Sequence, residues 1–238
     1  MELTRFTPKR FTDSELFTVE LGGKKYIVKS YLGDDAELRA KLEYAKLKHW
    51  RSHSFRVPSV IEGQKVPLET PNLLIEFVVG VNLSDALKDR SVAYEVKRSQ
   101  LEQVYAENAK RHSLSLENDD NLLIHTDPNT DNIILTDQSY VTIDFEHPSK
   151  NKPILKAIAH EVATFSRRVL TDLGREHIED ILSLVGQSYA ANPEILEKVR
   201  QLTLGRNLQF YHRYKDQKKK AKTPGLVTRY DIADGIRV

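Results

Sequence analysis

The sequence predicts an α+β, two-lobed fold: a small β-rich N-terminal lobe with one helix, then a mainly helical C-terminal lobe carrying one β-hairpin. Three observations predict it. Strand-like alternation recurs through the first eighty residues, and helical periodicity dominates the remainder. The helical part is broken once, by two short apolar runs on either side of a polar turn.

Taken in order, "LFTVELGGKKYIVKSY" alternates around Gly22-Gly23, a hairpin signal. A helix is expected from about Asp34 to Trp50, with the two aspartates at Asp34 and Asp35 suited to the positive end of its dipole. "RVPSVIEG" and "NLLIEFVVG" read as further strands, punctuated by Pro58, Gly63, Pro67 and Pro71. The character changes near Gly80–Leu83, which divides 1–80 from 81–205. "LSDALKD" and "YEVKRSQLEQVYAENAKRHSL" are helical and lead into the polar loop "ENDDN". The hairpin of "NIIL" and "YVTI", turned by "TDQS", follows, and helices are expected over Ile154–Leu173, Arg175–Ala190 and from Pro193 onward.

A chain of 238 residues with 39% hydrophobic and 29% charged residues can bury a sizeable core beneath a solvated surface. Its formal charge of +2 implies no nucleic-acid or membrane partner by itself, so any basic feature has to be local. The absence of cysteine excludes disulfides, thiolate metal sites and cysteine nucleophiles. With no signal-like start and no long apolar run, a cytoplasmic protein without a membrane partner is expected.

The chemistry concentrates in "LLIHTDPNTDNIILTDQSYVTIDF". Asp127 on a loop can accept a proton from an attacking hydroxyl. Asn132 offers a neutral carbonyl oxygen and Asp144 an anionic one, both hard ligands suited to Mg²⁺ carrying nucleotide phosphates. A hairpin between them would bring Asn132 and Asp144 to one end, which gives the pattern its purpose.

His125-x-Asp127-x4-Asn132 followed by Asp144-Phe145 resembles the catalytic loop and metal-binding strand of the protein-kinase-like superfamily. The His-Thr-Asp form, with no glycine after Phe145, is more similar to the atypical branch. That branch includes the aminoglycoside and choline phosphotransferases, the RIO kinases and the kinase subunit of the tRNA-modifying KEOPS complex. The resemblance implies a two-lobed protein-kinase-like fold and an ATP- and Mg²⁺-dependent phosphotransferase with an alcohol group as acceptor. Lys29, closing "KKYIVKSY", would hold the nucleotide phosphates; Lys24 and Lys25 lie in the turn and match less well. Glu43 falls on the stripe Ala36, Ala40, Glu43, Leu47, Trp50, where a carboxylate needs a cation, and Lys29 is the natural one. Glu37 is the alternative, and a second stripe of Leu38, Leu42 and Ala45 suggests burial on two sides. Glu76-Phe77-Val78 resembles the backbone stretch that meets adenine. His125 joins the catalytic candidates, in a place that resembles the family's scaffolding histidine. Glu161 stands roughly where relatives carry a buried aspartate bracing the catalytic loop.

The departures from that pattern carry their own expectations. No glycine precedes Gly22, so "RFTDSELF", with Asp13 in it, would have to cover phosphates without a Gly-rich loop. "FEHPSKNKP" is too short for a peptide-binding activation segment, which points to a small molecule or an atypical protein substrate as acceptor. The alternative is a pseudokinase, an ATP-binding scaffold or subunit of a complex, linked to RNA through the basic tail 206–238. Between Arg206 and Lys222 seven Lys/Arg stand against one Asp, interleaved with Phe210, Tyr211 and Tyr214. A solvated helix end with its rings packed down is one reading, and a contact surface for RNA or an acidic partner is the other. Other chemistries lack their motifs: there is no H-E-x-x-H, no G-x-S-x-G and no Walker A sequence.

Overall fold

The structure, a computed structural model, describes residues 2–6, 14–137, 139–148, 152–204, 209–223 and 225–236. They form two compact units, one of Met1–Gly80 with Ile134–Pro148, the other of Val81–Ile133 with Ser149–Val238.

The first unit is built on an antiparallel sheet in the order β1 (Thr4–Phe6), β2 (Ser14–Leu21), β3 (Lys24–Tyr31), β4 (Asn72–Glu76). The expected Gly22-Gly23 turn joins β2 to β3. Both glycines have positive φ, +57° and +75°, the combination a tight hairpin turn requires and side chains resist. The register pairs Leu16 with Lys29 and Lys29 with Leu73, so Lys29 sits mid-sheet with strands on both sides. Val19, Val28, Val66 and Leu74 fill one face of the sheet.

Helix α1 (Ala36–Ser52) follows β3 and buries the predicted stripe Ala36, Ala40, Glu43, Leu47 and Trp50. The second stripe is not buried, for Leu38 is 61% exposed. Arg39 and Lys46 are buried beside Glu43, so the inward face carries three charges where the pattern suggested one. "RVPSVIEG" forms no strand; it contributes a single bridge, Val60 to Ile75. Pro58 lacks the amide that a ladder needs, which shortens the pairing to that point.

The hairpin forms as β6 (Ile133–Leu135) and β7 (Tyr140–Thr142), which pair with each other. Expected with the helical part, 134–148 belongs instead to the first unit. The Thr142 amide donates to the Arg56 carbonyl at 2.9 Å, and the buried Phe145 ring packs edge-on against Trp50 at 4.7 Å. Gly80 approaches the same hairpin so closely that a Cβ would overlap the Leu135 carbonyl oxygen and the Ile134 side chain.

The second unit is helical, opened by the short strand β5 (Val81–Asn82). Helices α2 (Leu83–Lys88), α3 (Tyr94–Glu117), α4 (Ile154–Leu173), α5 (Ile178–Ser188) and α6 (Pro193–Leu204) stand where periodicity puts them. Helix α4 lies at the centre of the unit, packed most extensively against α6, and buries Ile158, Val162 and Phe165, while α3 buries Leu101, Val104 and Tyr105. The Tyr105 and Phe165 rings contact edge-on at 5.4 Å. Two further helices, α7 (Gln209–Lys222) and α8 (Arg229–Gly235), end the chain, the latter opened by a Thr228–Asp231 capping box. Among the described residues no helix is long and apolar enough to cross a membrane.

Candidate active site

In the first unit, strand β3 delivers Lys29 to the inward face of α1. Its ammonium lies 2.8 Å from Glu43, 2.6 Å from Asp144 and 3.5 Å from Glu146. The helical stripe and the strand thus form the pair that the pattern demanded, and Glu37 is excluded from it, being exposed and paired with Lys41. Carboxylate oxygens of Glu43, Asp144 and Glu146 fall within 4.8 Å of one another. Such a group of anions holds together only because cations enter it. Lys29 is one, and Arg39, 3.1 Å from Glu146, is the other.

Burial alone disfavours the Lys29 ammonium, but Glu43, Asp144 and Glu146 together outweigh it and hold the group charged, well above a lysine's ordinary range. Burial pushes the Glu43 carboxyl up; Lys29 and the Tyr31 hydroxyl oppose that, and Asp144 adds to it. Burial and then the Glu43 charge keep Tyr31 a neutral donor, 2.7 Å from Glu43. The other Glu43 oxygen accepts from the Phe145 amide at 3.3 Å.

Asp144 differs from its neighbours in two ways. Its side chain is 29% exposed, against 2% for Glu43 and 5% for Glu146. Its backbone is left-handed, φ +67°, which a non-glycine residue adopts at a cost of order 1–3 kcal/mol. The surrounding bonds hold it there, aiming a hard carboxylate from an irregular segment rather than from a strand.

In the second unit the loop around Asp127 is tied down at several points. The Asn132 side-chain amide donates to the Asp127 carbonyl at 3.0 Å and to its carboxylate at 3.3 Å. That use of the nitrogen leaves the Asn132 carbonyl oxygen as the atom available to a cation. Thr130 donates to Asp172 of α4, and Asn82 donates to the Asp131 carbonyl at 2.5 Å. His125 is buried, with its backbone amide donating to Glu161 at 2.9 Å. Glu161 also accepts from Arg111, which reaches the Leu123 carbonyl as well. The brace read from the position of Glu161 is therefore a direct contact, and the longer glutamate reaches the loop with Arg111 as its counter-charge.

Of the expected adenine stretch, Glu76 closes β4 and is already engaged. Its amide donates to the Ser59 carbonyl at 2.9 Å and its carboxylate accepts from the Ser59 hydroxyl at 2.8 Å. Phe77 and Val78 continue as irregular backbone, with the Lys25 ammonium 4.5 Å above the Phe77 ring. Lys24 and Lys25 are exposed at the start of β3 and take no part in the Lys29 cluster. The first half of the segment expected to cover phosphates, with Asp13, lies outside the described residues, and its second half, from Ser14, forms the start of β2. Sequence reasoning missed Tyr31, Arg39 and Glu146. The signal for Arg39 was its place four residues before Glu43, and for Glu146 it was a charge where the related pattern has glycine.

The basic helix α7 buries none of its residues. Its rings are not packed down: Phe210 is 87%, Tyr211 49% and Tyr214 47% exposed. It is held to α8 by its charged side, Arg213 to Asp234 at 2.6 and 2.7 Å and Lys220 to Asp231 at 2.6 Å. Lys215 lies over Tyr211 and Lys218 over Tyr214, at 4.4 and 4.7 Å.

A small antiparallel sheet with one helix, a mostly helical remainder and a lysine–glutamate pair beside an aspartate are consistent with a kinase-like fold. A solved structure of WaaP in complex with acyl carrier protein is similar to this chain at a TM-score of 0.56 and 13% identity. The match covers 92% of this chain and 88% of that one. No family model and no curated protein matches the sequence.

Proposed function

We propose that the protein is an ATP- and Mg²⁺-dependent phosphotransferase that passes the γ-phosphate of ATP to an alcohol group on a small molecule or a protein. The observation carrying this reading is the Lys29 cluster: a charged lysine fixed by a buried glutamate, beside a solvent-reaching aspartate in a left-handed conformation. An ammonium so placed can give up its exposed partner for phosphate oxygens while keeping its buried ones.

In this reading Lys29, oriented by Glu43, steadies the α- and β-phosphates, and the backbone of Phe77 and Val78 meets the adenine. Asp127 orients the acceptor hydroxyl and takes its proton. His125 acts as scaffold beneath that loop. A nucleotide-bound divalent cation would be met by Asp144, whose oxygen is anionic, and Asn132 is the second candidate, since its amide bonding within its own unit leaves its carbonyl oxygen. Such an ion neutralises charge on the transferring phosphates. The protein's share is positioning and preorganised charge.

Thermal unfolding titrated with ATP and Mg²⁺ tests the reading. At a hundred times its dissociation constant a ligand stabilises by about 2.7 kcal/mol. A Mg²⁺-dependent shift in the wild type that Asp144→Ala abolishes is expected. No shift at millimolar ATP would replace the phosphotransferase by the scaffold reading.

The exposed face of α7 supports a partner as well. Lys215, Lys218, Lys219 and Lys222 point outward beside Tyr211 and Tyr214, a combination suited to a polyanion with stackable bases. RNA is the partner to test first, by salt-dependent binding lost when Lys218 and Lys219 are neutralised. The basic face fits an acidic protein as the other arm, and the similar solved structure of WaaP is a complex with a protein, acyl carrier protein.

A further inference from the structure

Glu146 follows Asp144 and Phe145 at the position where the related pattern has a glycine, and a buried carboxylate there is costly unless paired. One of its oxygens, Oε2, accepts from the Ser14 hydroxyl at 2.7 Å and from Arg39 at 3.1 Å, and lies 3.5 Å from the Lys29 ammonium. That single atom joins the first residue of β2, the inward face of α1 and the middle of β3. Arg39 is fixed in turn, for it also donates to the Leu32 carbonyl and to Asp35.

The three carboxylates around Lys29 are not equivalent. Glu43 and Glu146 are buried and each is engaged by a second and third donor, whereas Asp144 reaches solvent. A ligand arriving from solvent can therefore compete for Asp144 far more readily than for the other two. With Glu43 as its only fixed partner, Lys29 would be held from the α1 side alone. The second buried anion belongs to the same short segment as Asp144, so it ties the lysine to the aspartate's own backbone.

We infer that Glu146 is a positioning residue for the phosphotransfer proposed above. It holds the Lys29 ammonium in place and pins α1 and the start of β2 to the Asp144 segment. When Asp144 turns to a nucleotide-bound cation, Lys29 keeps its place between Glu43 and Glu146. The inference rests on the kinase reading for its consequence, but the pin itself does not depend on nucleotide.

The experiment compares the full-length wild type with Glu146→Gln, Glu146→Ala and Ser14→Ala. Binding of Mg²⁺–ATP and of adenosine is measured by calorimetry, and amide hydrogen exchange is followed across α1 and Phe145. For Glu146→Gln, Mg²⁺–ATP is expected to bind about tenfold more weakly with adenosine unchanged, since adenosine makes no demand on Lys29. Ser14→Ala is expected to lose less, because it removes one bond and leaves the charge. A merely structural role would weaken both ligands alike, and that result, or unchanged Mg²⁺–ATP binding in Glu146→Gln, overturns the inference. Should Glu146→Ala fail to fold, the Gln and Ser14 variants carry the test. If the wild type binds neither ligand, the kinase reading fails by itself. Exchange then decides the pin: faster exchange at Phe145 and along α1 in Glu146→Gln upholds it, and identical exchange refutes it.

Discussion

In the first unit Lys29 and Arg39 stand among three carboxylates, of which Asp144 reaches solvent. In the second, Arg111, His112, Glu161 and Tyr189 close around one another, and none is more than 4% exposed. Here the charges balance. Arg111 answers Glu161, and His112 lies between the Glu161 carboxylate, 3.1 Å from Nε2, and the Tyr189 hydroxyl, 2.7 Å from Nδ1. Burial holds the imidazole below its ordinary range, so it sits there neutral. The first cluster has one member, Asp144, that reaches solvent, while the second is sealed from it. A network of the first kind is arranged to trade a partner, and one of the second kind to keep a loop in place.

The sharpest way to break this comparison is to remove one carboxylate from each cluster. Glu161→Ala removes the buried carboxylate that Arg111 and the His125 amide share. A destabilisation of about 3–5 kcal/mol is expected in urea unfolding. Asp144→Ala removes a part-exposed carboxylate whose charge solvent already screens, and it leaves the left-handed backbone in place. Its stability is expected to fall by less than about 1 kcal/mol, with phosphotransfer reduced about 10²–10³-fold. Equal destabilisation by the two changes would show that both clusters are structural.

A titration of stability against pH separates the clusters more finely. Burial raises the Glu161 carboxyl, yet Arg111 and then His112 outweigh it and bring the group well below the ordinary carboxylate value of 4.5. Its contribution is therefore present above about pH 4.5 and is lost as the pH falls further. His112 is lowered from 6.5, so below that pH the unfolded chain takes up a proton that the folded chain refuses. Stability is expected to start falling near pH 6.5, by up to about 1.4 kcal/mol per pH unit for that one group. Lys29 acts at the opposite end: its raised value gives stability that is complete below 10.5 and lost as the pH rises beyond. Chemical unfolding measured from pH 4 to 8 should show the His112 slope, and His112→Gln should remove it. A flat profile in the wild type would mean that the folded chain takes up the His112 proton as readily as the unfolded one.

Much of the first cluster was legible because strand and helix periodicity speak directly of side-chain facing. Lys29 ends an apolar strand and Glu43 interrupts an apolar helical stripe, and the two charges need each other. Local signals also placed the hairpin and the helices α2 to α6. What was not legible depends on pairing across the chain. Ser14 and Glu146 are 132 residues apart, and Arg111 and Glu161 are 50 apart, so no window of sequence contains either bond. The "RVPSVIEG" strand failed for the complementary reason: its composition suits a sheet, but Pro58 takes away an amide and the pairing with β4 narrows to one bridge at Val60, flanked by the Ser59 carbonyl and the Ile61 amide. The inclusion of 134–148 in the first unit is likewise a matter of Phe145 meeting Trp50, which periodicity does not encode.

The smallest expected effect concerns α7, and it sharpens the contrast between charge that is built in and charge that is displayed. Lys218, Lys219 and Tyr214 are exposed, and the described ion pairs of this helix run through Arg213 and Lys220 on its other side. Replacing Lys218 and Lys219 by Gln and Tyr214 by Ser removes display and leaves the attachment to α8 intact. Stability in urea is expected to change by no more than about 0.5 kcal/mol. Arg213→Ala, which breaks the pair with Asp234 and uncovers the Tyr230 ring 4.5 Å beneath it, is expected to cost more, on the order of 1 kcal/mol. If the triple substitution destabilised the protein more than Arg213→Ala, the outward rings would be holding the fold rather than awaiting a partner.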